Sequence, residues 1–132
     1  MKILHSKPPE WLQTACREQF GAEYEKGMMF TLGDTVYSKD PIPEDWQVHE
    51  AVHSKQQLAI GPEKWWERYF KDRIFRMGQE LEAYKAQYTF IESYCKDRNT
   101  LDKACRELAR QLATIYGLNI NQMQAYKLIK SK

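Results

Sequence analysis

Apolar positions after the Pro8-Pro9 pair fall at Trp11, Leu12, Ala15 and Phe20, with Ala15 four after Trp11 and three after Leu12. That spacing gathers them on one side of a helix, and proline suits a first turn, so a helix is expected over about 9–20 with Gly21 as its stop. Met28-Met29-Phe30-Thr31-Leu32 and Thr35-Val36-Tyr37-Ser38 are β-prone runs flanking Gly33-Asp34. They read as a short hairpin with glycine in the first turn position. Lys39 to Pro43 holds two prolines in three residues and reads as a loop.

A second helix is expected from near Pro43–Asp45 to about Ala59, broken by Gly61-Pro62, with Val48, Val52 and Leu58 toward the core. A long third helical region should fill about 63–96 and bend or break near Gly78. Asn99 or Thr100 can cap a fourth helix over about 101–116, ended by Gly117. Asn119 or Asn121 can start a last one that runs to about 130. No repeat or low-complexity segment interrupts the pattern. The fold class is α+β, mostly α, and the chain reads as a single domain over 1–132.

Composition changes this picture little. The 132 residues include 42% apolar and 29% charged side chains, with 6 Gly and 5 Pro, which is ordinary for a globular domain. Twenty basic and eighteen acidic residues nearly balance, at a net +2. A dedicated nucleic-acid binder would concentrate a basic excess on one face. Lys127, Lys130 and Lys132 fit a solvated helix end favoured by the macrodipole. The three cysteines, Cys16, Cys95 and Cys105, are odd in number and form no CxxC pair. They signal neither a disulfide framework nor a Cys-based metal site, and a reducing, cytoplasmic compartment is expected. MKILHSKPPEW lacks an apolar signal-peptide core, and no apolar run is long enough for a membrane span.

The chemistry lies in His49-Glu50-Ala51-Val52-His53, an HExxH pattern. Residues four apart on a helix share a face one turn apart, so two imidazoles can bind one zinc ion there. The glutamate beside the first histidine can then take a proton from a water activated by the metal. A catalytic zinc site needs a third protein ligand. The remaining histidine, His5, lies far upstream in what should be a flexible end. Glu80 and Glu82 are the candidates, and they diverge by about 200° on a helix, so only one can face the metal. Met77, Leu81, Tyr84, Tyr88 and Ile91 form the apolar stripe of that helix. Glu80 lies beside it, whereas Glu82 shares a face with Lys85 and Thr89. Periodicity favours Glu80 and leaves Glu82 as the alternative ligand.

Three segments together resemble the gluzincin branch of the zincins, and more closely a set of small metallopeptidase-like proteins from bacteria and phages. Thr31-Leu32-Gly33-Asp34-Thr35-Val36-Tyr37 is similar to a TLGxxIY hairpin. His49 to Gln57 is similar to HExxHxxQ, and Glu80-Leu81-Glu82-Ala83-Tyr84 to the ExEAY or ExxAD segment of a glutamate helix. The likeness covers about residues 30–90. It implies a minimal zincin-like domain whose hairpin packs on the zinc helix and the glutamate helix. It also implies His49 and His53 as zinc ligands and Glu50 as general base and later proton donor. The first glutamate of the second motif is the ligand, which again selects Glu80. Gluzincins with ExxxD orient a zinc histidine through the aspartate; Tyr84 stands in that place, and a tyrosine hydroxyl could serve.

The resemblance further implies a peptide or protein substrate aligned by strand addition to an edge strand, for which the Met28–Tyr37 hairpin is the candidate. Tyr37, Tyr84 and Tyr88 are candidates to stabilise the oxyanion, and Trp65 and Trp66 are either cleft walls or core anchors. Two other functions fit the same residues. One is a non-catalytic protein-binding module that retains a zinc site. The other is a helix-turn-helix DNA reader built from the last two helices about Gly117-Leu118-Asn119, a pair equally explained as an ordinary helical hairpin.

Overall fold

A computed structural model describes residues 1–131. Among the described residues six α-helices and one short 3-10 helix (Tyr24–Lys26) accompany a three-stranded sheet. Helix α1 spans Glu10–Phe20, entered through Pro9 and closed by Gly21 in the left-handed conformation. Strands β2 (Phe30–Leu32) and β3 (Thr35–Tyr37) form the expected antiparallel hairpin, with Leu32 opposite Thr35 across the Gly33-Asp34 turn.

The N-terminal segment departs from expectation. It is not a loose end but strand β1 (Lys2–Leu4), parallel to β3 in the order β1-β3-β2. Its three residues are too few to show a period-2 pattern, so the strand is specified by its partner. His5 is tied beyond it, with Nδ1 3.0 Å from the Ser38 carbonyl oxygen.

Helix α2 (Glu44–Ile60) starts after Pro43, and Glu44 and Asp45 meet the positive end of its dipole. Gly61 turns the chain at φ +93°, and Pro62 occupies the first turn of α3 (Pro62–Lys71). The long helical region then breaks at Asp72, not at Gly78. The Asp72 side chain accepts from the Phe75 N–H and caps α4 (Arg73–Tyr94). Helix α4 continues through Gly78 without a break, since no cap or proline falls there. Likewise α5 (Arg98–Ile115) is capped by Asp97, which takes both the N–H and the hydroxyl of Thr100, so the helix begins ahead of Asn99 and Thr100. Asn121 and Gln124 make a reciprocal capping box on α6 (Gln122–Lys130). Lys132 lies outside the described residues.

Two apolar clusters build the interior. One joins Tyr84, Tyr88 and Ile91 of α4 to Leu108 and Leu112 of α5 and Ile129 of α6. The other joins Leu12 of α1 and Phe30 of β2 to Trp65, Trp66 and Tyr69 of α3. Among the described residues Arg76 bridges elements without a carboxylate partner. Its guanidinium donates to the carbonyls of Tyr69 (2.7 Å) and Tyr116 (2.8 Å), at the ends of α3 and α5. Exposed carbonyls at helix C-termini carry partial negative charge, which answers the buried cation.

Helix α2 packs chiefly on α4, and the face it turns inward is polar. Its buried residues are His49, Glu50, His53 and Gln57. The expected apolar face is overturned: Val48 and Val52 are only half-buried, and Leu58 is 85% exposed. The interior between the clusters is thus filled by ionisable and amide groups, which must answer one another.

Candidate metal centre

Burying polar groups requires a partner for each, and around α2 every partner is present. His49 and His53 turn their Nε2 atoms toward each other at 3.2 Å. Glu80, one of the buried polar residues of α4, places Oε1 3.3 Å from His49 Nε2 and 3.1 Å from His53 Nε2. The periodicity argument for Glu80 holds in position: Glu80 is 3% exposed, whereas Glu82 is an exposed side chain 3.4 Å from Gln56 Nε2. The other carboxylate oxygen of Glu80 accepts the Tyr69 hydroxyl at 2.5 Å.

The outer nitrogens of the imidazoles fix their tautomers. His49 Nδ1 lies 2.9 Å from Gln87 Oε1, and the Gln87 amide nitrogen donates to Asp45 Oδ2 at 2.9 Å. A carboxylate only accepts, so Asp45 holds the amide with its oxygen toward His49. His53 Nδ1 lies 2.9 Å from Gln56 Oε1, whose amide nitrogen donates to the Gln79 carbonyl at 3.1 Å. Both Nδ1 atoms therefore carry hydrogen, which leaves the two Nε2 atoms as the inward-facing ligand positions.

Two imidazole nitrogens and one carboxylate oxygen then converge on one point, an arrangement that a cation satisfies, either a proton on His53 or a metal ion. His49, His53 and Glu80 could hold a metal ion. Tetrahedral coordination at the usual bond lengths of about 2.0–2.1 Å places neighbouring ligand atoms about 3.3–3.4 Å apart. The observed separations of 3.1, 3.2 and 3.3 Å fit that edge. Without a metal, burial opposes charge on His53, but Glu80 and then Glu50 outweigh it and raise the imidazole to about 9. Burial likewise disfavours the Glu80 carboxylate, and the two imidazoles more than reverse this, holding it well below the usual range.

Glu50, 6% exposed, projects from the same helix beside this group. Its Oε2 accepts the Thr31 hydroxyl of β2 at 2.7 Å. The hairpin sits on α2 through Gln57 as well. The Gln57 carboxamide donates to the Thr31 carbonyl at 2.8 Å and accepts from the Gly33 N–H at 2.6 Å. Trp66 Nε1 donates to the same carbonyl at 2.8 Å.

These residues open onto a cavity of about 290 Å³, walled by Met28, Met29, Phe30, Trp46, Trp65 and Trp66 among others. The tryptophans of α3 are both cleft wall and core anchor. Tyr84 packs its ring on His49, with centroids 4.6 Å apart, and its hydroxyl meets Tyr116 and not a histidine. Tyr37 lies in β3 opposite Phe30, and Tyr88 belongs to the α4–α5 core. The tyrosines that line the cavity are instead Tyr69 and Tyr116. Cys16 lines it too, with a thiol that burial pushes up to about 12 and so keeps neutral.

Gln87, Asp45, Tyr69 and Tyr116 carry the surroundings of the centre without belonging to its short motifs, and Thr31 reaches it from the hairpin segment. One signal for them was available: Gln87 lies seven residues after Glu80, two turns along the same face, and Asp45 four before His49. Comparison with protein-family models, with curated proteins and with solved structures returns no match. Among the described residues no helix is long and apolar enough to cross a membrane.

Proposed function

We propose that the protein is a zinc-dependent peptidase in which Glu50 is the general base. The observation that carries this reading is the convergence of two imidazole nitrogens and one carboxylate oxygen within 3.3 Å, with both outer imidazole nitrogens committed to glutamine oxygens. Two histidines and one carboxylate suit zinc. Zinc held there would activate water as a nucleophile and polarise the scissile carbonyl.

The chain's own residues supply the rest. Thr31 holds Glu50 at the cavity, where the carboxylate removes a proton from the attacking water and passes it to the departing amine. Thr31 sits opposite Val36, one position beyond the Leu32–Thr35 pair that closes the hairpin. Alternation of the ladder directs its N–H and carbonyl away from β3. The carbonyl is occupied by Gln57 and Trp66, which leaves the N–H for an extended peptide lying along the Met29–Thr31 end of the edge. The apolar walls select a large apolar side chain next to the scissile bond. A metal site serving only to hold a binding module together would not require Glu50 poised at an open cavity.

Metal analysis of the full chain, together with mass spectrometry of a degenerate peptide library, tests the reading. The wild type should bind one zinc ion and cleave. Glu50→Gln should keep the metal and lose about 10²–10⁴ of the rate. Glu80→Gln should weaken metal binding by more than the roughly 10–100-fold typical of an outer partner, and Glu82→Gln should not. A wild type that takes up no zinc, or an Glu50→Gln that cleaves normally, refutes it.

A further inference from the structure

The hydroxyls of Tyr84 and Tyr116 lie 2.7 Å apart. Two hydroxyls bring two protons, and the bond between them uses one. Tyr84 is 0% exposed, and among the described residues its hydroxyl has no other hydrogen-bond partner. Were Tyr116 the donor, the Tyr84 proton would be sealed in the interior without an acceptor, a state native interiors avoid. Tyr84 therefore donates and Tyr116 accepts. The Tyr116 proton is left outside the pair. Tyr116 is only partly buried and lines the cavity that His49, Glu50, His53 and Glu80 also line. The other cavity tyrosine, Tyr69, already donates its hydrogen bond to Glu80. Arg110 of α5 lines the same cavity and adds positive charge to this wall.

We propose that Tyr116 is a catalytic residue whose hydroxyl donates a hydrogen bond to the substrate carbonyl oxygen as that oxygen becomes negative. The inference rests on the peptidase reading above and names its missing oxyanion donor. In the step concerned, water oxygen bonds to the carbonyl carbon and the π pair moves onto the carbonyl oxygen. The displaced water proton goes to Glu50. Tyr116 stabilises the new charge and keeps its own proton. When the C–N bond breaks, the pair returns to form the carbonyl and the nitrogen takes the proton from Glu50. A donor pre-set by its neighbour needs no reorganisation as charge develops. The residue is the C-cap of α5, outside the segments that carry the metal-ligand motifs, which is why no local pattern marks it.

Two probes bound to the zinc-loaded full chain separate this role from others. A phosphinic pseudopeptide presents a tetrahedral anionic oxygen in place of the oxyanion. The matching mercapto-peptide anchors through sulfur alone and offers no such oxygen. Calorimetry should show Tyr116→Phe binding the phosphinate about 10–100-fold more weakly, the worth of one hydrogen bond to a charged oxygen, with thiol affinity unchanged. Tyr84→Phe removes the same inter-tyrosine bond yet leaves the Tyr116 proton, so its phosphinate affinity should fall far less. The proposal is overturned if Tyr116→Phe binds the phosphinate like wild type. It is equally overturned if both probes weaken in parallel, or if Tyr84→Phe costs as much as Tyr116→Phe. Failure of the wild type to bind the thiol overturns the peptidase reading and the Tyr116 role together, whereas intact thiol binding with unchanged phosphinate affinity removes the Tyr116 role alone.

Discussion

Replacing Gln87 by leucine tests whether the amides behind the histidines set metal affinity. Leucine nearly fills the volume of glutamine but cannot accept the His49 Nδ1–H. The bond it removes is 2.9 Å long and buried, and His49 is 1% exposed, so water has no route to the orphaned donor. An unmet buried donor costs about 1–3 kcal/mol. Added to the loss of tautomer control, this should weaken zinc binding about 10–100-fold. Gln56→Leu makes the same chemical change behind His53, but Gln56 is half-buried, and its bond is partly open to solvent. Water can restore that bond at a cost of about 0–2 kcal/mol, so the loss should be smaller. Competition against a chromogenic zinc chelator at neutral pH measures both, with circular dichroism confirming that each variant folds. If Gln56→Leu weakens binding as much as Gln87→Leu, or if Gln87→Leu leaves it unchanged, the argument from burial is wrong.

Other tests address the fold and the pH response. The His53 imidazole of the metal-free protein is raised from its ordinary 6.5 to about 9, against burial, by Glu80 and Glu50. Its contribution to stability is therefore complete below 6.5 and lost as pH rises toward about 9. Thermal melts should fall across that window in metal-free protein, and zinc, which takes the place of the proton, should flatten the slope. The lowered Glu80 carboxyl acts the other way, its contribution fading as pH drops below its ordinary 4.5. Asp72→Ala should lower Tm by uncapping α4, while Asp72→Asn, which keeps an acceptor oxygen, should not. Leu58→Lys should change stability by no more than about 0.5 kcal/mol, whereas Leu112→Ala in the α4–α5 core should cost about 2–5 kcal/mol by chemical denaturation.

The features that sequence reasoning located are those written in consecutive residues or in one helical period. Gly21 and Gly61 end helices as expected, Gly33-Asp34 closes the hairpin, and Glu80 was separable from Glu82 because a helix turns them apart. What escaped depends on the other side of a contact. Strand β1 exists because β3 offers it an edge. The break in the long helical region is set by the carboxylate of Asp72 capturing one N–H, a choice that glycine content does not forecast. The apolar character of Val48, Val52 and Leu58 does not set the face of α2, because the interior is taken by His49, Glu50, His53 and Gln57. A buried face made of such groups is stable only as a set, and the rest of that set lies on α4 and β2.

The Gln57 carboxamide covers the open edge of the sheet beside the turn. By taking the Thr31 carbonyl and the Gly33 amide at once, it imitates one residue of a neighbouring strand. Open sheet margins are where identical chains adhere and begin to aggregate. A side chain from the protein's own helix occupies that margin at the turn, and the Trp66 indole reinforces it. The sheet is thereby shielded from its siblings over the stretch the cavity does not need, and stays available over the stretch it does.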